Sequence, residues 1–157
     1  MARYRHLDDF APGQRLEHGS ITLDAAAIMD FARQFDPQPF HTDPVAAERS
    51  FFNGLAASGG HTAALTMRLC VDSDLRVPWG VIGRGVEALE WPRPTRPGDT
   101  LRIACEVLEV RPSRTRPEMG IVRVRIETLN QRDEAVQRMV VAMVVPTRPP
   151  EVSPGSP

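Results

Sequence analysis

One stretch of the chain brings titratable groups together under tight backbone control: Phe35-Asp36-Pro37-Gln38-Pro39-Phe40-His41, followed by Thr42-Asp43-Pro44. Asp36 and His41 lie five residues apart on a segment stiffened by Pro37 and Pro39. Neither proline has an N–H and both have a fixed φ, so the segment has few conformations to lose on folding. An aspartate beside a histidine can orient the imidazole, select its tautomer and hold a water for general acid–base chemistry. The same residues also fit a plain loop in which His41 closes a helix cap.

A second feature follows at Ala57-Ser58-Gly59-Gly60-His61-Thr62. Small residues lead straight into a largely apolar stretch expected to be a buried helix, so its first-turn N–H groups lack intrahelical partners. Without side chains, Gly59 and Gly60 let a ligand oxygen approach the backbone, and the positive end of the helix favours an anion or a developing oxyanion. The glycines fit close packing of the helix on a sheet equally well, with Ser58 serving only as N-cap.

Other chemistries find no support. Nineteen positive against 20 negative side chains leave no basic surplus for nucleic acid or an anionic membrane. All 19 cations are Arg, so a Schiff-base lysine and a P-loop lysine are both excluded. Cys70 and Cys105 lack C-x-x-C spacing and sit in apolar stretches, which predicts buried free thiols. His6, His18, His41 and His61 are scattered, so no metal is expected. The longest apolar run, Met139–Val145, is far too short to span a bilayer. The N-terminus has no apolar core of a signal peptide, so a cytoplasmic location is expected.

The elements that must position these groups are readable between the prolines. At 41% hydrophobic and 25% charged, the composition is that of a globular domain, expected over residues 5–146, with the proline-rich 147–157 as a mobile tail. Thr22 is the expected N-cap of an amphipathic helix carrying Ile28, Phe31, Ala32 and Phe35 and ending at Asp36-Pro37. Asp43-Pro44 opens a short helix to about Ser50. The helix from Ser58 to about Ser73 is apolar on nearly every side and is expected to be buried. Period-two patterns then mark strands over Val81–Trp91, 101–107, 122–127 and 134–145, with a weaker one over Arg15–Ile21. Gly83 and Gly85 allow a bulge in the first of the four. The connections are too short for crossover helices, so the sheet is mostly antiparallel. The class is α+β: one long helix and a curved sheet of about five strands wrapped around it.

These features, together with Trp91-Pro92-Arg93-Pro94-Thr95-Arg96-Pro97-Gly98-Asp99-Thr100-Leu101, resemble the MaoC-like dehydratases, relatives of the (R)-specific enoyl-CoA hydratases, over about residues 8–146. The resemblance implies a hot-dog fold and a homodimer with an acyl channel near the subunit boundary. It implies an acyl-CoA or acyl carrier protein thioester as substrate, with no cofactor. The family motif, Asp-x-Asn-Pro-x-His, has Gln38 here in place of Asn. By position, Asp36 and His41 correspond to the catalytic pair and Gly59 to the oxyanion-hole N–H, with Gln38, Ser58 and Gly60 in support. The phosphates of CoA would draw on arginines of one loop (Arg93, Arg96) or another (Arg111, Arg114, Arg116). A hot-dog thioesterase and a non-catalytic acyl-thioester-binding subunit are the alternatives.

Overall fold

The computed structural model describes residues 3–150. After a single 3₁₀ turn at Leu7–Asp9, the order is β1 (Arg15–Thr22), α1 (Ala25–Phe35), α2 (Pro39–Thr42), α3 (Pro44–Glu48), α4 (Gly59–Asp72), β2 (Ile82–Glu90), β3 (Thr100–Pro112), β4 (Met119–Leu129) and β5 (Ala135–Pro146). The five strands form one sheet in the order β1-β3-β4-β5-β2, and every neighbouring pair is antiparallel. The sheet curls around α4, which contacts β1, β3 and β5.

The alternation in β3 and β4 dictates this packing. Leu101, Ile103, Cys105 and Val107 of β3 and Val122, Val124 and Ile126 of β4 point inward and are buried, while the Arg and Glu residues between them face out. Leu69 and Cys70 of α4 close this core from the helix side, with Met143 and Val145 of β5. Burial pushes the Cys70 thiol up to about 12 and raises Cys105 as well, so both stay protonated. Gly19 permits a close approach of strand to helix. It has φ +100°, and a methyl group there would collide with the Leu69 side chain, at the irregularity where β1 shifts register between His18 and Ile21.

Three local expectations need correction. The N-cap of α1 is Asp24, whose Oδ1 accepts the Ala27 N–H at 2.8 Å. Thr22 instead ends β1 and pairs its hydroxyl with that of Thr100 at 2.9 Å. The segment carrying His41 is not a loop but the one-turn α2, because the fixed φ of Pro39 suits the first helical position. Finally, α4 is only half covered. His61, Thr62, Thr66, Leu69 and Cys70 are buried, while Met67 and Val71 are exposed. The buried threonines are tolerated because each hydroxyl is bonded: Thr62 to Thr95 at 3.1 Å, and Thr66 to Thr128 at 2.6 Å and to the Thr62 carbonyl at 2.9 Å.

The strands otherwise lie where expected, and β2 slips register between Gly83 and Gly85. Residues 151–157 of the expected tail lie outside the described residues. Its first residues are tied to the domain: the Thr147 N–H donates to the Glu118 carbonyl at 2.9 Å, and Arg148 Nη2 donates to both Asp9 carboxylate oxygens at 2.8 and 2.9 Å. No helix among the described residues is long and apolar enough to cross a membrane.

The cap assignment is testable. Asp24→Ala should lower stability by about 0.5–2 kcal/mol, whereas Thr22→Ala on the sheet edge should change it by less than about 0.5 kcal/mol. Urea unfolding of both variants measures the difference, and equal losses would return the cap to Thr22.

Candidate active site

Asp36 is the C-cap of α1, its N–H donating to the Ala32 carbonyl at 2.8 Å. Pro37 stops the helix and turns the chain so that Gln38 becomes the N-cap of α2. Gln38 spends no side-chain bond on capping. Its Nε2 donates to Asp36 Oδ1 at 2.6 Å. The longer amide at the motif's Asn position therefore still reaches the carboxylate. Ser58 donates its hydroxyl to Asp36 Oδ2 at 2.7 Å, and Ser58 Oγ itself accepts the Gly60 N–H at 3.2 Å. Ser58 is thus the N-cap of α4 and a ligand of Asp36 at once.

His41 is buried and sits with Nε2 3.4 Å from Asp36 Oδ2. Its Nδ1 lies 2.6 Å from the Ala56 carbonyl oxygen. A carbonyl only accepts, so Nδ1 carries the proton, and in the neutral ring Nε2 presents a lone pair toward Asp36. Two acceptors facing one another at this distance suit a water that donates to both. Phe40 packs edge-on against the imidazole at 4.5 Å, holding the ring plane.

The Asp36 carboxylate is 28% exposed. Burial raises its pKa, but the hydrogen bonds from Gln38 and Ser58 oppose it, and the net position is below the ordinary 3.8. Asp36 is therefore an ionised acceptor at neutral pH.

The oxyanion candidate, Gly59, begins α4, and its N–H finds no acceptor among the described residues. Gly60 differs, because its N–H is consumed by Ser58. A methyl group on Gly59 would lie 2.7 Å from Cε2 and 2.8 Å from Cζ2 of Trp91, so the glycine is required by the indole packed on it. On Gly60 the nearest atom would be 3.5 Å away, ordinary contact. His61 does not join the pair. It is buried against Phe31, ring stacked on ring at 4.5 Å, and burial lowers its pKa.

Asp36, His41, Ser58, Gly59 and Gly60 line one cleft of about 760 Å³, whose far wall is Trp91 to Arg96 and whose lip is Phe51 and Phe52. Of the five arginines considered for phosphate contact, Arg93 and Arg96 line it. Arg111 lies next to the end of β3, with Arg114 and Arg116 in the turn that follows, and none of these three lines the cleft. Arg96 is committed elsewhere: its guanidinium donates to the Gly54 carbonyl at 2.9 Å, to that of Leu55 at 3.2 Å and to that of Phe52. A second, apolar cavity of about 180 Å³ lies further along α4, between Met67 and Cys70 on the helix and Gly83, Gly85 and Val86 on β2.

Three contributions escaped the sequence. Arg96 clamps the 52–55 loop, the Thr95 carbonyl accepts the Ala57 N–H at 2.9 Å, and buried Gln137 accepts the Trp91 indole N–H at 2.9 Å. Arg96 and Thr95 stood in the proline-rich run quoted for the resemblance, but no local signal pointed to Gln137.

A long helix wrapped by a five-stranded antiparallel sheet defines a hot-dog fold. The model of the MaoC like domain matches residues 9–129, and the chain belongs to that family. A MaoC-like dehydratase from Rhodospirillum rubrum is 52% identical, with a TM-score of 0.89 over 92% of this chain and 99% of that one. The unliganded R-hydratase PhaJ1 from Pseudomonas aeruginosa is 25% identical, with a TM-score of 0.72 over 97% and 96% of the two chains. The Bacillus subtilis (strain 168) protein YdeM is 34% identical over 130 residues, 83% of this chain and 91% of its own.

The hydrogen bonds to Asp36 set its titration. Because its folded-state pKa lies below the ordinary value, the stability it brings is complete above the ordinary carboxylate range and is lost as pH falls through the lowered midpoint. Removing one donor with Ser58→Ala should move that midpoint up. Carboxyl ¹³C NMR titration of the two proteins measures it, and an unmoved or lower midpoint would mean that Ser58 does not hold the carboxylate.

Proposed function

We propose that the protein is an enoyl-thioester hydratase, or equally a 3-hydroxyacyl-thioester dehydratase, acting on the 2,3 bond of an acyl-CoA or acyl carrier protein thioester with (R) stereochemistry. The observation that carries this reading is the Asp36–His41 pair, two acceptors 3.4 Å apart, facing the same cleft as the unspent Gly59 N–H. The family membership and the likeness to PhaJ1, a protein named as an R-hydratase, support it.

The chemistry follows from the placement. Asp36 Oδ2 and His41 Nε2 each accept a hydrogen of one water and aim its oxygen at Cβ of the enoyl group. As the new C–O bond forms, the pair takes one proton, and the π electrons shift through Cα onto the thioester oxygen. The Gly59 N–H and the positive end of α4 stabilise that enolate oxygen. The proton held by the pair then passes to Cα, so water is added across the double bond with no net change at the protein. Dehydration is the same path reversed. The acyl group lies against α4 in the direction of the apolar cavity at Met67 and Cys70, and Arg93, half exposed on the rim and only loosely paired with Glu134 at 3.9 Å, is the arginine placed to meet a CoA phosphate.

A second copy of the chain completes the assembly. Every residue of β2 is exposed, β2 pairs only with β5 among the described residues, Ile82, Val86 and Leu89 on it and Met67 and Val71 on α4 are exposed apolar side chains, and Val86 and Met67 line one cavity. An unpaired strand edge next to an apolar helix face is a surface that a second copy would cover.

Two measurements test these statements. Asp36→Asn should reduce kcat/KM for hydration of crotonyl-CoA, followed by loss of enoyl absorbance, by a factor of about 10² to 10⁴, with an unchanged circular dichroism spectrum. Undiminished turnover in the variant would remove Asp36 from the chemistry, and release of free thiol would make the protein a thioesterase instead. In sedimentation, the wild type should run as a dimer and Val86→Arg should shift it toward monomer. A monomeric wild type would overturn the assembly.

A further inference from the structure

The cleft and the apolar cavity lie along the same pair of elements. Gly59 of α4 faces Trp91 just beyond β2 in the cleft, while Met67 and Cys70 face Gly83 and Gly85 in the cavity. Eight residues of helix separate Gly59 from Met67, about 12 Å at 1.5 Å per residue. An acyl chain starting at the Gly59 N–H and directed along α4 meets Trp91 first.

The indole leaves no passage there. Its Cε2 and Cζ2 atoms lie so close over Gly59 that even a methyl group on the glycine would be 2.7 and 2.8 Å from them. A methylene chain needs carbon–carbon contacts of about 3.5–4.0 Å on each side and cannot thread between ring and helix. The ring is also fixed. Its N–H donates to Gln137 Oε1 at 2.9 Å, and Gln137, fully buried, donates through Nε2 to Thr66 Oγ1 at 3.2 Å. Thr66 in turn donates to the Thr62 carbonyl at 2.9 Å. The indole is thus tied back to the same helix on which it rests, and turning it away would strand the buried amide oxygen of Gln137.

We propose that Trp91, held in place by Gln137, sets the acyl-length limit of the site: it closes the cleft off from the apolar cavity behind it and restricts the protein to short acyl groups. This rests on the thioester reading above and deepens it. Trp91 is the wall that the acyl group touches, and Gln137 is a positioning residue acting through it.

The test compares the wild type, Trp91→Ala and Gln137→Leu by calorimetric titration with butanoyl-CoA and octanoyl-CoA, which bind without turning over. The wild type should bind octanoyl-CoA no better than butanoyl-CoA. Trp91→Ala should raise the octanoyl-to-butanoyl affinity ratio about tenfold or more, because four further methylenes gain an apolar site. Gln137→Leu keeps the ring but removes its anchor, and should give a smaller change in the same direction. A merely structural loss would weaken both ligands alike and leave the ratio unmoved. An unchanged ratio in Trp91→Ala, or a wild type that already prefers octanoyl-CoA by tenfold, would overturn the gate. Should Trp91→Ala not fold, Trp91→Leu takes its place with the same expected direction. Crotonyl-CoA hydration by the wild type is read separately. Its absence alongside a shifted affinity ratio would refute the hydratase reading and leave the gate standing, whereas hydration with an unmoved ratio would do the reverse.

Discussion

The bond from His41 Nδ1 to the Ala56 carbonyl is the constraint on which the site depends. It decides which ring nitrogen carries the proton, and so whether Nε2 meets Asp36 as an acceptor or as a donor. A carbonyl can do this only if it is itself immobile, and the surrounding structure holds it from several sides. The Ala56 N–H donates back to the Phe40 carbonyl, and the Ala57 N–H donates to the Thr95 carbonyl. Arg96 gathers the carbonyls just upstream, and its own N–H is held by buried Asp99 at 2.8 Å. The proline-rich segment from Trp91 to Asp99 is therefore also the brace of the loop that orients the histidine. Its prolines suit the task because they lose little entropy on ordering.

A polar seam between α4 and the sheet does the same for the opposite wall. Buried hydroxyls and amides are costly unless every one is bonded, and Thr62, Thr66, Thr95, Thr128 and Gln137 are bonded to one another across α4, β4, β5 and the loop between β2 and β3. An apolar seam would have let the helix slide or rotate at little cost. A bonded one fixes the rotation of α4, and with it the direction in which Gly59 presents its N–H.

What could be read from the sequence follows from this division. The strands were legible because alternation is a local signal, and Asp36, His41 and Ser58 because their spacing and their prolines are local too. Confusion arose where two local signals competed. Thr22 and Asp24 are both N-cap residues two apart, and only the partner strand, through Thr100, claims one of them. Pro39 reads as a helix breaker, yet at the first helical position it is compatible with a turn of helix. The rest was illegible because it depends on residues far apart in the chain: Gln137 stands 46 residues from Trp91 and 71 from Thr66. The same holds for α4, whose sequence is apolar on nearly every side. Its buried threonines are satisfied by partners from β4, β5 and the loop between β2 and β3, and this leaves Met67 and Val71 outside.

Ser58 shows why the helix entrance takes the form it does. A serine at the N-cap accepts from the second or third helical N–H, here that of Gly60, and so leaves the first, that of Gly59, unspent. Its hydroxyl hydrogen remains free to donate, and it goes to Asp36. An aspartate in its place could cap the helix but would set a second negative charge against Asp36 and drive the carboxylate pKa up. Alanine could do neither. A single hydroxyl, with one donor and two lone pairs, thus keeps the carboxylate ionised, starts the helix and leaves its leading N–H open to the cleft. In the proposed hydration, those three conditions have to hold together for the pair to activate a water and for the N–H to meet the oxyanion of the same substrate.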